Sequence, residues 1–416
     1  MASPVLKNPD FVKLWLGQGV SLFGSLINRI VLPFLLIYTF SASPMDVAWL
    51  RVAEIAPGML IGLGIGVAVD RWRRRPVMLA MDTARATLVG LIPVLFLLRR
   101  LTMGDIMGVA VLMSVTSMGF DSAYDAYLPT LVEADEIVDA NSKLAALAAV
   151  AEAAGFGIAG ALFQWLGGAL TLSIDALSFV ASAVSLRLIR RAEPRPVRSP
   201  IPPSPAAELG AGLRALRGSP VLSRMAAVAG VQSLFFGLTG AVYMLYISRS
   251  LQVAPVLQGG LYAVGGLSSL ATAGLASRLG QRSGSVRILV LAAAGGALGA
   301  LFLPLAFGPL PLVLAFILAQ QLLGDGSDTL LDISLSSLRQ THTPNALLGR
   351  VSAAWFVLTG VGMVGGTLLG GAVAGVIGLR DTLFLGVAVR LGMIALIAAG
   401  RPWRRGTGRL ADSRVL

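Results

Sequence analysis

The chain has 416 residues, 56% of them hydrophobic and only 13% charged, with a mean hydropathy of +0.80. Soluble domains carry about 25% charged residues, so this composition argues against a soluble enzyme, a secreted disulfide scaffold and a disordered chain. At about 20 residues per helix, the length accommodates roughly a dozen membrane spans.

The net charge of +12 is almost all arginine, since lysine occurs only at Lys7, Lys13 and Lys143. None of the three stands in Gly-x-x-x-x-Gly-Lys-Ser/Thr, so no Walker-type ATPase is expected. The chain has no cysteine and a single histidine, His342. That removes thiol chemistry and metal sites built from several imidazoles; neither cofactor nor metal is expected. Met1 to Asp10 does not read as a removable signal peptide.

In chain order, the apolar stretches predict spans over 14–40, 47–69, 76–98, 103–125, 144–166 and 170–189. A second set follows over 221–247, 256–278, 286–304, 310–335, 351–374 and 380–400. Six prolines between Pro194 and Pro205 exclude a span there and predict an extended linker, with a short amphipathic helix over Ala206 to Arg217. The expected organisation is a six-helix bundle over 1–190, a cytoplasmic linker over 191–220, a second bundle over 221–400 and a basic cytoplasmic tail over 401–416. Arginine and lysine orient it. With the N-terminus inside, about 25 of the 33 Lys/Arg lie in inside segments, and the outside loops hold only Arg99, Arg100, Arg249 and Arg380. Both termini are therefore expected in the cytoplasm of a multi-pass plasma-membrane protein, and the positive charge is not a nucleic-acid surface. The halves also match internally. Shifted by 208 residues, Gly66, Asp70 and Arg74 fall on Gly274, Arg278 and Arg282, and Gly157 and Gly167 fall on Gly365 and Gly375. Parallel repeats of this kind suit a rocker-switch transporter.

After the second span comes Gly66-Val67-Ala68-Val69-Asp70-Arg71-Trp72-Arg73-Arg74-Arg75. A small residue permits close helix approach, and an acid one turn later can meet a helix N-terminus or an arginine. This segment resembles the loop between the second and third helices of the major facilitator superfamily, with Arg73 where that family has glycine. Leu14-Trp15-Leu16-Gly17-Gln18-Gly19-Val20-Ser21, Tyr127-Leu128-Pro129, Ala140-Asn141-Ser142, Asp175-Ala176-Leu177-Ser178-Phe179 and Leu348-Gly349-Arg350-Val351 are similar to the drug:proton antiporter branch holding macrolide-efflux and enterobactin-exporter proteins. Ala151 to Gly160 is similar to the antiporter motif, with Gly155-Phe156 where the family has Gly-Pro. The resemblance implies the major facilitator fold: an all-α membrane protein of twelve transmembrane helices in two pseudo-symmetric bundles. It also implies alternating access, exchange of a small-molecule substrate for protons, and a gating role for Gly66, Asp70, Arg71, Arg74 and Arg75.

Ionisable residues inside spans are candidate functional groups because each is costly unless paired or hydrated. Arg51 with Glu54 and Asp82 with Arg85 are three apart and could neutralise each other. Glu152 has no cation on its own helix and is a candidate proton carrier, or else the partner of an arginine on a neighbouring helix. Asp325, Asp328 and Asp332 share one stripe, so at least one is expected to be protonated or paired with Arg339 or Arg390, with solvation at the cytoplasmic edge the alternative for Asp332. Proton coupling is therefore assigned to Glu152, Asp325, Asp328 and Glu54, and charge pairing to Arg51, Asp82, Arg85 and Arg390. Asn28, Arg29, Phe34, Tyr38, Phe235, Phe236 and Tyr243 are expected to line the substrate cavity, with packing or lipid contact the alternative for each aromatic. The expected function is export of hydrophobic or amphipathic small molecules, by a monomer, in exchange for protons. Alternatives are export of a siderophore or self-made metabolite, or a non-transporting sensor or assembly partner on the same fold.

Overall fold

The computed structural model describes residues 4–69, 72–191, 193, 205–282 and 285–399. Asp70, Arg71, most of the proline-rich linker and the C-terminal tail lie outside the described residues. The described residues are mostly helical, with no strand among them. The first six long helices are α1 (Pro9–Thr39), α2 (Pro44–Val69), α3 (Arg74–Leu97), α4 (Met103–Leu131), α5 (Ile137–Leu166) and α6 (Gly168–Leu188). A shorter α7 (Pro205–Gly218) precedes α8 (Pro220–Leu245), α9 (Pro255–Arg282), α10 (Ser285–Leu305), α11 (Leu310–Gln320), α12 (Gly326–His342), α13 (Leu348–Ile377) and α14 (Leu379–Ala398).

Ten helical stretches among the described residues are long and apolar enough to cross a membrane, with α11 and α12 counted together as Leu310–His342. The 26-residue α2 and 28-residue α9 bring the spans to twelve. Several helices run further than the apolar windows predict. α1 begins at Pro9, α4 continues to Leu131 and α5 starts at Ile137. The turns added to α1 and α5 carry charged and amide side chains that lower their hydropathy, whereas those added to α4 pack Tyr127, Leu128 and Leu131 into the apolar cluster of the first unit. Asn8 caps α1 by accepting from the Asp10 and Phe11 amides at 3.0 and 3.3 Å.

One expectation is corrected. The tenth span is not a continuous α-helix: Gln321–Asp325 forms a π turn between α11 and α12. Gly299 of α10 packs on the backbone of Gly324 inside this turn, where an added Cβ would lie 2.6 Å from the Gly324 Cα.

Contacts divide the chain into two compact units, Met1–Pro202 with Ile247–Gly266, and Pro203–Tyr246 with Leu267–Leu416. The division falls inside α9. In the first unit α1 packs on α5 and α6, α2 on α4, and α3 on both α4 and α6. Pro57 interrupts the hydrogen-bond ladder of α2. The Gly58 amide turns outward and donates to Ser114 Oγ of α4 at 2.9 Å. In a bilayer no water can satisfy such a group, so a neighbouring hydroxyl must.

In the second unit the tightest crossing joins α8 and α13. Gly362, Gly366 and Gly370 recur every four residues and set α13 against the backbone of α8 from Gly230 to Leu238. This small-residue spacing gives backbone contact where burial against lipid gives no driving force. α7 forms where an amphipathic helix is expected, and it docks on protein: Leu209, Leu213 and Leu216 join the apolar cluster of α8 and α13.

The α8–α13 contact makes a paired prediction. Gly366→Ala drives a methyl into the Leu234 backbone, whereas one at the adjacent Gly365 meets nothing within 4 Å. Gly366→Ala should lower stability by about 1–3 kcal/mol, and Gly365→Ala should be neutral or slightly stabilising, as helix propensity favours alanine by about 1 kcal/mol. Thermal unfolding of the two variants in detergent checks this.

Candidate functional site

The second unit buries a charged network. Arg390, mid-way along α14, is 1% exposed. Its two terminal nitrogens donate to the two carboxylate oxygens of Asp328 on α12, each at 2.6 Å. Gln232 of α8 donates to Asp328 Oδ1 at 3.0 Å. The guanidinium lies over the Phe235 ring at 3.8 Å and near Phe236 at 5.7 Å. A planar, two-pronged, delocalised cation suits this combination of carboxylate and ring face, which lysine could not reproduce. Gly296 of α10 supplies the room: an added Cβ there would run into Arg390 and lie 3.1 Å from Asp328 Oδ1.

Beside this network lies a cleft of about 260 Å³ lined by α8, α12 and α13. Gln232, Ser233 and Phe236 face it from α8, Asp332, Ser336 and Arg339 from α12, and Trp355 and Thr359 from α13. Arg339 stacks on Trp355 with its guanidinium carbon 5.1 Å from the ring centre. Gln232 therefore touches both the cleft and the buried ion pair.

The first unit holds a second charged knot. Arg85 and Asp82 of α3 form a buried ion pair. The Arg85 guanidinium lies between Phe120 of α4, at 4.0 Å, and Phe179 of α6, at 4.5 Å. Asp121 and Asp175 stand within electrostatic reach of it. Asp175 accepts from Asn28 of α1 at 2.6 Å and from Ser178 at 3.3 Å. Nearer the N-terminal end of α2, Arg51 pairs with Glu54 at 3.2 Å, and Arg29 acts on the same carboxylate.

The structure brings together Arg390 with Asp328, Arg85 with Asp82 and Arg51 with Glu54. Other expected positions differ. Phe34 is fully buried and packs on Phe163 and Tyr38 with ring centres 5.1 and 5.6 Å apart, so it is core rather than cavity wall. Phe235 is buried beneath Arg390, and Asn28 is committed to Asp175. Glu152 is exposed and forms no ion pair among the described residues; it stands beside Gly266 of α9. Arg29 is exposed, and half-exposed Tyr38 accepts from Gln258 at 3.3 Å. Tyr243 donates to Gln320 at 2.6 Å, next to the π turn that holds Asp325. Phe236 alone of the expected aromatics lines the cleft of the second unit.

Gly66 lies in the last turns of α2. Arg74 and Arg75 begin α3, where their amides donate to Glu193 at 2.5 and 3.1 Å. The Arg75 side chain donates to the Leu186 and Arg187 carbonyls, both at 2.9 Å. It thereby caps the C-terminus of α6, whose last carbonyls have no helical partner. Asp10 makes the matching contact by accepting from the Arg191 amide at 2.7 Å. Sequence reasoning missed Glu193, Asp10, Gln232 and Gly296. Glu193 was findable as the acid at the edge of a basic linker; the two interior residues carried no signal in the pattern.

A double-variant cycle tests the buried pair. Arg390→Met alone leaves Asp328 buried without its cation and should cost about 3–5 kcal/mol. Arg390→Met with Asp328→Leu should recover most of that loss. Unfolding midpoints of the single and double variants decide it.

A family model described as transmembrane secretion effector matches residues 2–404. The MFS-type transporter y4rN of Sinorhizobium fredii is 23% identical over 410 residues, covering 94% of each chain. Macrolide efflux protein A of Streptococcus pyogenes is 24% identical over 181 residues, 43% of this chain and 44% of that protein. A bacterial homologue of the iron transporter ferroportin, solved in an inward-facing state, superposes with a TM-score of 0.75 at 17% identity, covering 95% of this chain and 98% of the other. The twelve spans, the glycine-rich crossings and a family match over nearly the whole length agree: the chain belongs to the transmembrane secretion effector family of the major facilitator superfamily, whose members are membrane transporters and not enzymes.

Proposed function

We propose that this transporter exports amphipathic small molecules from the cytoplasm in exchange for protons, by alternating access and as a monomer, with both termini in the cytoplasm of the plasma membrane. One observation carries the reading: Gln232 links a partly polar cleft to a buried ion pair that joins α12 to α14. A proton on Asp328 would remove the negative partner of Arg390 while the guanidinium still lay in an apolar site. Arg390 would then need another acceptor, and Asp332, one turn further along α12 and facing the cleft, is the next acid on that stripe. Substrate and proton would thus act on one set of helices through one cation, which is what exchange requires.

Glu152, Glu54 and Asp325 are the further carboxylates proposed to take part in coupling. The carboxylates around Arg85 outnumber it and would give the first unit its own place to hold a proton. Gly66, Asp70, Arg71, Arg74 and Arg75 are proposed to govern opening on the cytoplasmic side. The partial match to macrolide efflux protein A supports export as the direction and an amphipathic substrate.

Inverted membrane vesicles with an acidic interior test this. Addition of a transported macrolide, tetracycline or siderophore should dissipate the pH gradient, and collapsing the gradient should abolish substrate uptake. Asp328→Asn should lose gradient-driven uptake by tenfold or more while still binding substrate. Uptake that persists after the gradient is collapsed would refute proton exchange. So would unchanged gradient-driven uptake in Glu152→Gln, Asp325→Asn and Asp328→Asn alike.

A further inference from the structure

The α8–α12–α13 cleft carries opposite charges at its two ends. Asp332 and Arg339 both face it from α12. They are seven residues apart, two helical turns, which separates their backbones by about 10 Å along the axis. Neither forms an ion pair among the described residues. Arg339 is held from one side by the Trp355 ring, an arrangement that leaves the edge of the guanidinium free for a two-pronged acceptor. Its Nε is buried with no hydrogen-bond partner, and so is Oε1 of Gln232. Buried donors and acceptors are ordinarily satisfied, and an unsatisfied one calls for a partner. The cleft therefore offers one cation, one anion, one orphan donor and one orphan acceptor, with Phe236 contributing an apolar ring to its lining.

A neutral hydrophobic ligand would leave all four groups unmatched and would be penalised for covering them. A simple cation would satisfy Asp332 and be repelled at Arg339. At about 260 Å³ the cleft falls below the roughly 300–1,000 Å³ of sites that enclose a drug-sized ligand, so it takes one ring system or the head of a larger molecule.

We propose that this cleft is a selectivity subsite for amphoteric aromatic molecules. The carboxylate of the ligand lies on Arg339, its ammonium group on Asp332, and its ring against Phe236, with Gln232 Oε1 accepting from the ligand. The inference deepens the export reading and rests on taking this cleft as part of the substrate path.

Equilibrium binding to the full-length protein in lipid nanodiscs tests it with three probes: 6-(aminomethyl)-2-naphthoate, its methyl ester, and 6-methyl-2-naphthoate. The zwitterion should bind at least tenfold more tightly than either singly charged probe. Arg339→Gln should weaken the two carboxylate probes about tenfold and leave the ester unchanged. Asp332→Asn should weaken the two amine probes and leave 6-methyl-2-naphthoate unchanged. The inference is overturned if the zwitterion binds no tighter than its ester, or if each variant weakens all three probes alike. The order of the probes on the unaltered protein decides the matter even where a variant fails to fold. Charge-selective binding without flux would remove the export reading and leave the subsite standing; proton-driven flux with no charge preference would do the reverse.

Discussion

The second unit is arranged around a single cation that has nowhere else to go. A guanidinium in the middle of a span must be matched by protein, because hydrocarbon offers it nothing. Arg390 is matched three ways: by two carboxylate oxygens, by an aromatic face and by a glycine that makes space. Each partner comes from a different helix, so α8, α10 and α12 are all positioned with respect to α14 by one side chain. A buried pair of this kind is weak evidence for stability, since two apolar side chains of the same volume would pack as well. What it supplies is a helix arrangement that depends on charge, and charge is what a proton changes.

The two halves of the chain treat equivalent places differently. Phe120 and Asp328 are 208 positions apart, as are Ser182 and Arg390. In the first unit the aromatic at this site receives a cation from α3, and the carboxylate partner lies on α3 itself. In the second unit the acid has moved onto the equivalent of Phe120, and the cation onto the equivalent of Ser182. Backbone repetition is kept while the wiring is changed. A three-apart pair on one helix neutralises charge without tying helices together; a pair across α12 and α14 ties them directly. The second unit is thus better placed to convert a change of charge into a change of packing.

Much of this was legible in the sequence, and the reason is physical. A bilayer imposes length and hydropathy, so the spans are read from composition alone, and short-range pairs such as Arg51 with Glu54 are read from helical spacing. Arg390 could be read as needing an acid on another helix because the one acid on its own, Asp381, lies nine residues away, beyond side-chain reach. Rotation about the helix axis was not legible. The part of α1 around Phe34, Ile30 to Ile37, is apolar at every position, so nothing in its pattern told whether Phe34 faced a cavity or the core. Glu152 was read from its place inside a span and its lack of a neighbouring cation, yet its side chain is exposed. Gln232 and Gly296 escaped notice because an amide and a glycine in a transmembrane helix are ordinary until a neighbour is known. Arg75 was read for its charge, whereas the acceptors it meets are backbone carbonyls, which hydropathy does not see.

The π turn at Gln321–Asp325 sets the direction of every side chain that follows it on α12. A π turn is an α turn with one residue inserted, and each residue advances the helix by about 100°. Everything after it on α12 is therefore rotated by that angle relative to α11. The insertion aims Asp328 at Arg390 and leaves Asp332 and Arg339 facing the cleft, while Gly299 accommodates the bulge it creates. A relative lacking that one residue would keep its hydropathy, its span length and its three aspartates, and would point them at different neighbours. Removing one residue from the turn would therefore change the neighbours of every charged group after it while leaving each of those residues in the sequence.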